Sequence, residues 1–171
     1  TAFLAACPDR VCSYDVVLHP GLIELVEIFG ANTLPSVDPG EGFTLFVWSG
    51  EKKGRWDFRL EDSRTCTILV VDLLFIDSAH SYDQLSVELA RHHAQVRKWI
   101  ILHDTITFGD WGEGGAPQLG LTPAITEFLA GHPEWVERER IETNNGFLIL
   151  KLVLMVCLIF YLDLFTSGIQ D

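Results

Sequence analysis

Residues 72–85, DLLFIDSAHSYDQL, constrain the fold more than any other stretch of the chain. Leu73, Leu74, Phe75 and Ile76 form an unbroken apolar run, the pattern of a strand buried on both faces of a parallel sheet. The run stops at Asp77 and passes through Ser78, Ala79, His80 and Ser81. A helical pattern of Tyr82, Leu85, Val87 and Leu89 follows. Strand, polar turn and helix make half of a βαβ unit. A second copy begins at Trp99, where Ile100, Ile101 and Leu102 lead into His103, Asp104 and Thr105. In open α/β sheets ligands bind beyond the carboxyl ends of the strands. Neighbouring strands lie about 4.8 Å apart, so Asp77 and Asp104 are expected to converge on one small volume.

The 171 residues suffice for one domain with a proper core, and 48% hydrophobic content argues against disorder. Twelve basic residues against twenty-four acidic ones leave a net charge of −12. No basic cluster exceeds Lys52-Lys53, so phosphate-backbone binding, and with it a nucleic-acid partner, is disfavoured. Cys7, Cys12, Cys66 and Cys157 show neither CxxC nor finger spacing and read as free thiols of a reducing, cytoplasmic compartment. There is no signal-peptide pattern at the front. Met155 is the only methionine, so Thr1 reads as an internal start and the chain as N-terminally truncated.

Along the chain, residues 1–6 read as a helix tail and 11–17 as a short strand carrying Asp15 toward its end. His19-Pro20-Gly21 is a turn before a helix over 22–29 that Gly30 closes. Pro35, Pro39, Gly40 and Gly42 mark a loop, 43–48 a strand, 51–54 a charged turn and 56–60 another short strand. A helix is expected over 82–96 and a strand over 98–102. Five glycines at 109, 112, 114, 115 and 120 make 108–120 a mobile loop of the kind that can serve as a lid. Thr122 and Pro123 then read as the cap and first turn of a helix ending near Gly131. Residues 135–143 and 147–151 pattern as strands joined by Asn144-Asn145-Gly146, a strong hairpin signal.

That ending, with FIDSAHSYDQL and WIILHDT, resembles class I S-adenosylmethionine-dependent methyltransferases. The nearest likeness is the cephalosporin-hydroxylase-like and rhamnosyl O-methyltransferase-like branch. The resemblance covers residues 1–151 and is best from Asp72 onward. It implies an α/β, Rossmann-like doubly wound sheet, mostly parallel, with a C-terminal antiparallel hairpin. The family's first strand and glycine-rich cofactor loop have no counterpart; they would precede Thr1, and no glycine occurs before Gly21. Glycine is what lets backbone approach the cofactor's methionine part. The expectation is therefore weak S-adenosylmethionine binding, with no saturation at micromolar cofactor. Residues 32–67 also run longer than the family's third strand and its flanks.

The resemblance places site residues one by one. Asp15 stands where these enzymes hold the cofactor's ribose, and Asp62 where some members hold an acid near adenine. Asp77 and Asp104 match the strand-end aspartates that hold a divalent cation, commonly magnesium, in metal-dependent O-methyltransferases. Hard carboxylates with open water positions suit such an ion. His103 stands where antibiotic-tailoring relatives carry an acidic ligand, and Thr105 where catechol-type relatives carry Asn. The third ligand thus stays open, with His103 the candidate. His80 lies three residues past Asp77, where catechol-type enzymes place a catalytic lysine, and an imidazole can take a proton from an acceptor hydroxyl. Strand-end caps and backbone-bonded loop histidines are the plainer readings of the same residues. Glu113 on the glycine loop is placed to approach substrate, His92-His93 read as surface, and His19 and His132 as turn residues before prolines.

Residues 152–171 form an apolar tail, LVLMVCLIFYLDLF and beyond, interrupted by Asp163. A membrane span needs about 20 apolar residues, so an extra packed segment is the preferred reading and a tail anchor the lesser one. The expected function is metal-assisted methyl transfer to a small-molecule or sugar hydroxyl, in a chain able to form homo-oligomers. The rival is a truncated, catalytically silent binding or interaction domain. A metal-dependent hydrolase ranks third, because its ligand-dense motifs are missing.

Overall fold

The computed structural model describes residues 10–17, 43–49 and 52–153. The helices expected over 1–6 and 22–29, the turn at His19-Pro20-Gly21, the loop at Pro35 to Gly42, Cys7, Cys157 and the tail beyond Val153 lie outside them. Two compact units divide the chain, Thr1–Cys66 and Thr67–Asp171.

The first unit holds a three-stranded sheet of β1 (Arg10–Asp15), β2 (Phe43–Ser49) and β3 (Lys52–Leu60) in the order β1-β3-β2. β1 runs parallel to β3, and β2 antiparallel to it. The charged stretch expected as a turn over 51–54 is largely strand: Trp48 pairs with Lys53 and Val47 with Gly54. Polar Lys52 and Lys53 carry no strand periodicity, so only the ladder reveals them as strand. At the centre of β3, Asp57 is fully buried and takes Nε and Nη2 of Arg10 at 2.8 and 2.6 Å. Burying that carboxylate is tolerated because a guanidinium accompanies it.

The second unit holds β4 (Val71–Ile76), α1 (Tyr82–His92), β5 (Val96–His103), α2 (Leu121–Gly131), β6 (Trp135–Ile141) and β7 (Phe147–Leu152). Its sheet has the order β4-β5-β7-β6. β4 and β5 are parallel neighbours, with Ile76 opposite Leu102. The hairpin turns where Asn144, Asn145 and Gly146 all adopt positive φ, and β7 returns between β5 and β6, antiparallel to both. That insertion corrects the expected mostly parallel sheet. Among the described residues two strand pairings are parallel and three antiparallel, because each hairpin adds antiparallel ladders. The architecture is α/β with mixed sheets.

Leu85, Leu89, Ile100, Leu102, Leu121, Ile125, Phe128, Leu148 and Leu150 close the core between helices and sheet. Among the described residues β4 lies at the edge of its sheet, and it is not buried on both faces, since Leu73 stays 38% exposed. α1 is shorter than expected: a 3₁₀ turn over His93–Gln95 ends it, and Val96 already belongs to β5. Its buried stripe is Leu85, Glu88, Leu89 and His92, so His92 is core and Val87 is not. Gly120, not Thr122, stands at the α2 cap, and the free N–H groups of Leu121 and Thr122 donate to carbonyls of Phe108 and Gly109. No helix among the described residues is long and apolar enough to cross a membrane.

Candidate metal centre

Asp77 follows the last residue of β4, and Asp104 the last residue of β5. Because the two strands are parallel neighbours, both carboxylates leave the same sheet edge. Ligand atoms of Asp77, His80 and Asp104 all lie within 4.8 Å of one another. Nε2 of His80 is 2.7 Å from Asp104 Oδ2 and 3.6 Å from Asp77 Oδ1. His103 approaches from the other side, with Nδ1 3.2 Å from Asp77 Oδ1 and 3.6 Å from Asp104 Oδ1. All four residues predicted for this end of the sheet come together.

Neighbouring groups fix each imidazole. Nδ1 of His80 lies 2.7 Å from Oε1 of Glu113, and its ring stacks on Phe108 at 4.5 Å and 16°. Nε2 of His103 lies 3.0 Å from the carbonyl of Asn144, and its ring packs on Phe147 at 4.4 Å. A neutral imidazole has a single N–H. Spent on Glu113 in His80, it leaves Nε2 turned to the carboxylates with a lone pair, whereas both nitrogens of His103 face acceptors, Nδ1 the Asp77 carboxylate and Nε2 the Asn144 carbonyl. Metal-ligating histidines characteristically donate their second nitrogen to a carboxylate or carbonyl in this way.

Four buried side-chain atoms among the described residues make no hydrogen bond, and three belong to this cluster or its next residue: His80 Nε2, Asp104 Oδ1 and Thr105 Oγ1. The 2.7 Å approach of His80 to Asp104 lies off the ring's N–H direction and is a contact, not a hydrogen bond. Asp104 also has a positive φ, 58°, and its side chain is only 10% exposed. Aspartate tolerates that left-handed backbone better than most residues. No lysine or arginine pairs with Asp77, Asp104 or Glu113 among the described residues. Converging carboxylates with orphaned oxygens and oriented imidazoles suit a divalent cation. Beneath them is a cleft of about 10 Å³ lined by Ile76, Leu85, Leu102 and Leu121 with Asp77, His80 and His103. It admits one water or one ion.

Three scaffolding features were missed in the sequence. Glu88, 2% exposed, takes Ser78 Oγ–H at 2.7 Å and Gln84 Nε2–H at 2.8 Å, anchoring the loop between Asp77 and His80. Its signal was available: a charge on the apolar stripe, three residues after Leu85. Carbonyls of Asn144, Asn145 and Gly146 face His103 Nε2, the N–H groups of Ile106 and Thr107, and the Thr105 N–H, so the hairpin turn holds the Asp104 loop. The glycine loop is tied down, not free: Glu113 N–H donates to His80 O at 3.2 Å, and Tyr82 N–H to Leu119 O at 2.9 Å. Gly112 is required there, since a Cβ would sit 2.7 Å from His80 O.

The two cofactor candidates belong to the first unit. Asp15 ends β1, where Oδ1 accepts the Val17 N–H at 3.1 Å. Asp62 is committed to a turn: Oδ1 takes the Arg64 N–H at 2.8 Å, and the Arg64 guanidinium reaches both oxygens. Those bonds hold its carboxyl below the usual carboxylate range. Asp62 is therefore a poor fit for an adenine contact. No family model matches the chain, and no curated protein or solved structure shows significant similarity to it.

Proposed function

We propose that the chain is a Rossmann-like, S-adenosylmethionine-dependent O-methyltransferase domain whose acceptor, a small-molecule or sugar hydroxyl, is activated by a divalent cation. The observation that carries this reading is the convergence of Asp77 and Asp104 at the ends of two adjacent parallel strands, with orphaned buried atoms between them. The antiparallel last strand of the sheet supports the same reading.

Asp77, Asp104 and His103 would hold the cation, commonly magnesium. Bound there, it would lower the pKa of an acceptor hydroxyl and orient it. His80 takes the proton at Nε2, while Glu113 holds the Nδ1–H and thereby fixes the ring. The cleft beneath, of about 10 Å³, is too small for an organic molecule, so the acceptor would bind outside it.

The test is transfer of labelled methyl from millimolar S-adenosylmethionine to a panel of hydroxylated acceptors. Transfer should require Mg²⁺, vanish in Asp104→Asn and fall roughly 10²–10⁴-fold in His80→Ala. Cation binding without any transfer across the panel would favour the silent binding domain.

A further inference from the structure

The fourth orphaned buried atom, His132 Nδ1, lies in a second cluster. We infer that His93, His132 and Glu134 form a zinc-type metal site that joins the C-terminal ends of α1 and α2. Their ligand atoms lie within 4.8 Å of one another. A tetrahedral zinc with bonds of about 2.05 Å needs ligand atoms about 3.3 Å apart, a contraction within reach of side-chain rotation.

Local structure has already oriented the donors. Nδ1 of His93 lies 2.8 Å from the Leu89 carbonyl one turn back, which makes Nδ1 the N–H and leaves Nε2 its lone pair. His132 follows the last residue of α2, and its ring lies 4.2 Å from that of His93 and 4.6 Å from Phe128. Pro133 stiffens the step to Glu134, whose backbone carbonyl accepts the Val153 N–H at 2.8 Å. Both helix C-termini bring their partial negative charge to this point, which favours a cation.

The cluster is separate from the first. Eleven residues of α1 intervene, about 16 Å of helix. Donor chemistry separates the two as well. Two imidazoles and one carboxylate select a zinc-class ion over magnesium, and a water fills the fourth position.

The experiment titrates Co²⁺ alone into the full chain carrying Asp77→Asn and Asp104→Asn, which disables the first cluster. The expected result is one bound equivalent with the visible ligand-field band of a four- or five-coordinate ion. Its affinity should fall at least tenfold on adding His132→Gln or Glu134→Gln. Cobalt affinity indifferent to both added substitutions, or no band at all, overturns the site. Zn²⁺ titration of the unsubstituted chain, followed on the imidazole nitrogens by NMR, serves as the measurement that depends on no variant's folding. The first equivalents should shift His93 and His132, and unmoved signals at excess zinc overturn the proposal equally. Neither readout depends on methyl transfer, so failure here leaves the proposed function standing.

Discussion

Nδ1 of His80 and Oε1 of Glu113 stand 2.7 Å apart, although 33 residues separate them in the chain. The contact is made because the Glu113 N–H donates to the carbonyl of His80 itself, so backbone and side chain register the loop on the site together. Glu113→Gln keeps the size and loses the charge. It should lower kcat about tenfold or more with little change in KM, because the substituted residue no longer selects the productive tautomer. Glu113→Asp, one methylene shorter, should recover part of the rate through the same pairing, as steady-state kinetics on the three chains would reveal.

Gly146 has φ +97°, and a Cβ there would sit 2.7 Å from the nitrogen of Ile106. Gly146→Ala should cost about 1–3 kcal/mol from backbone strain, read as a shift in the denaturation midpoint. Because the same turn supplies carbonyls to His103, Thr105, Ile106 and Thr107, cation affinity should fall along with stability. Asn144→Ala, which keeps the carbonyl and adds no such clash, should leave cation affinity within a few-fold.

Glu88→Ala removes the acceptor of Ser78 Oγ–H and Gln84 Nε2–H inside the core. Losing hydrogen bonds to a charged acceptor costs about 1.5–3 kcal/mol, and chemical denaturation should show a loss of that order. Hydrogen exchange at residues 78–80 should rise more than at β7, since Glu88 braces that loop. Uniform exchange across the sheet would contradict the bracing role.

Burial raises the Cys12 thiol above its ordinary range, ahead of the opposing pull of Arg10. The folded chain therefore keeps the neutral thiol at a pH where the unfolded chain has begun to lose its proton. Stability from this group is complete below the unfolded pKa and declines as pH rises past it. Near pH 8.5, Cys12 should react with iodoacetamide more slowly than the same cysteine in urea, as peptide mass spectrometry would quantify.

Much of the second unit was legible because its signals are local. Apolar runs ending in Asp77 and His103-Asp104 mark strand ends, and Asn144-Asn145-Gly146 marks a turn, without any knowledge of the rest. The convergence of Asp77, His80, His103 and Asp104 followed from assuming that the two strands are neighbours, which they are. What failed depends on tertiary partners. His92 looked like surface beside His93, but the stripe of α1 rotates it into the core. Thr122 looked like a cap, yet loop carbonyls had taken the helix's free N–H groups. Lys52 and Lys53 looked like a turn, and only pairing with Ser49 and Trp48 makes them strand.

Asp77 and Asp104, we propose, share one hard divalent cation. Mn²⁺ titrated into the ¹⁵N-labelled chain tests this most directly, because paramagnetic broadening reports the ion's position residue by residue. Substoichiometric Mn²⁺ should broaden residues 77–80 and 103–105 first, excess Mg²⁺ should reverse the effect, and Asp104→Asn should abolish it. Broadening that begins elsewhere, or that survives Asp104→Asn unchanged, would contradict a shared cation.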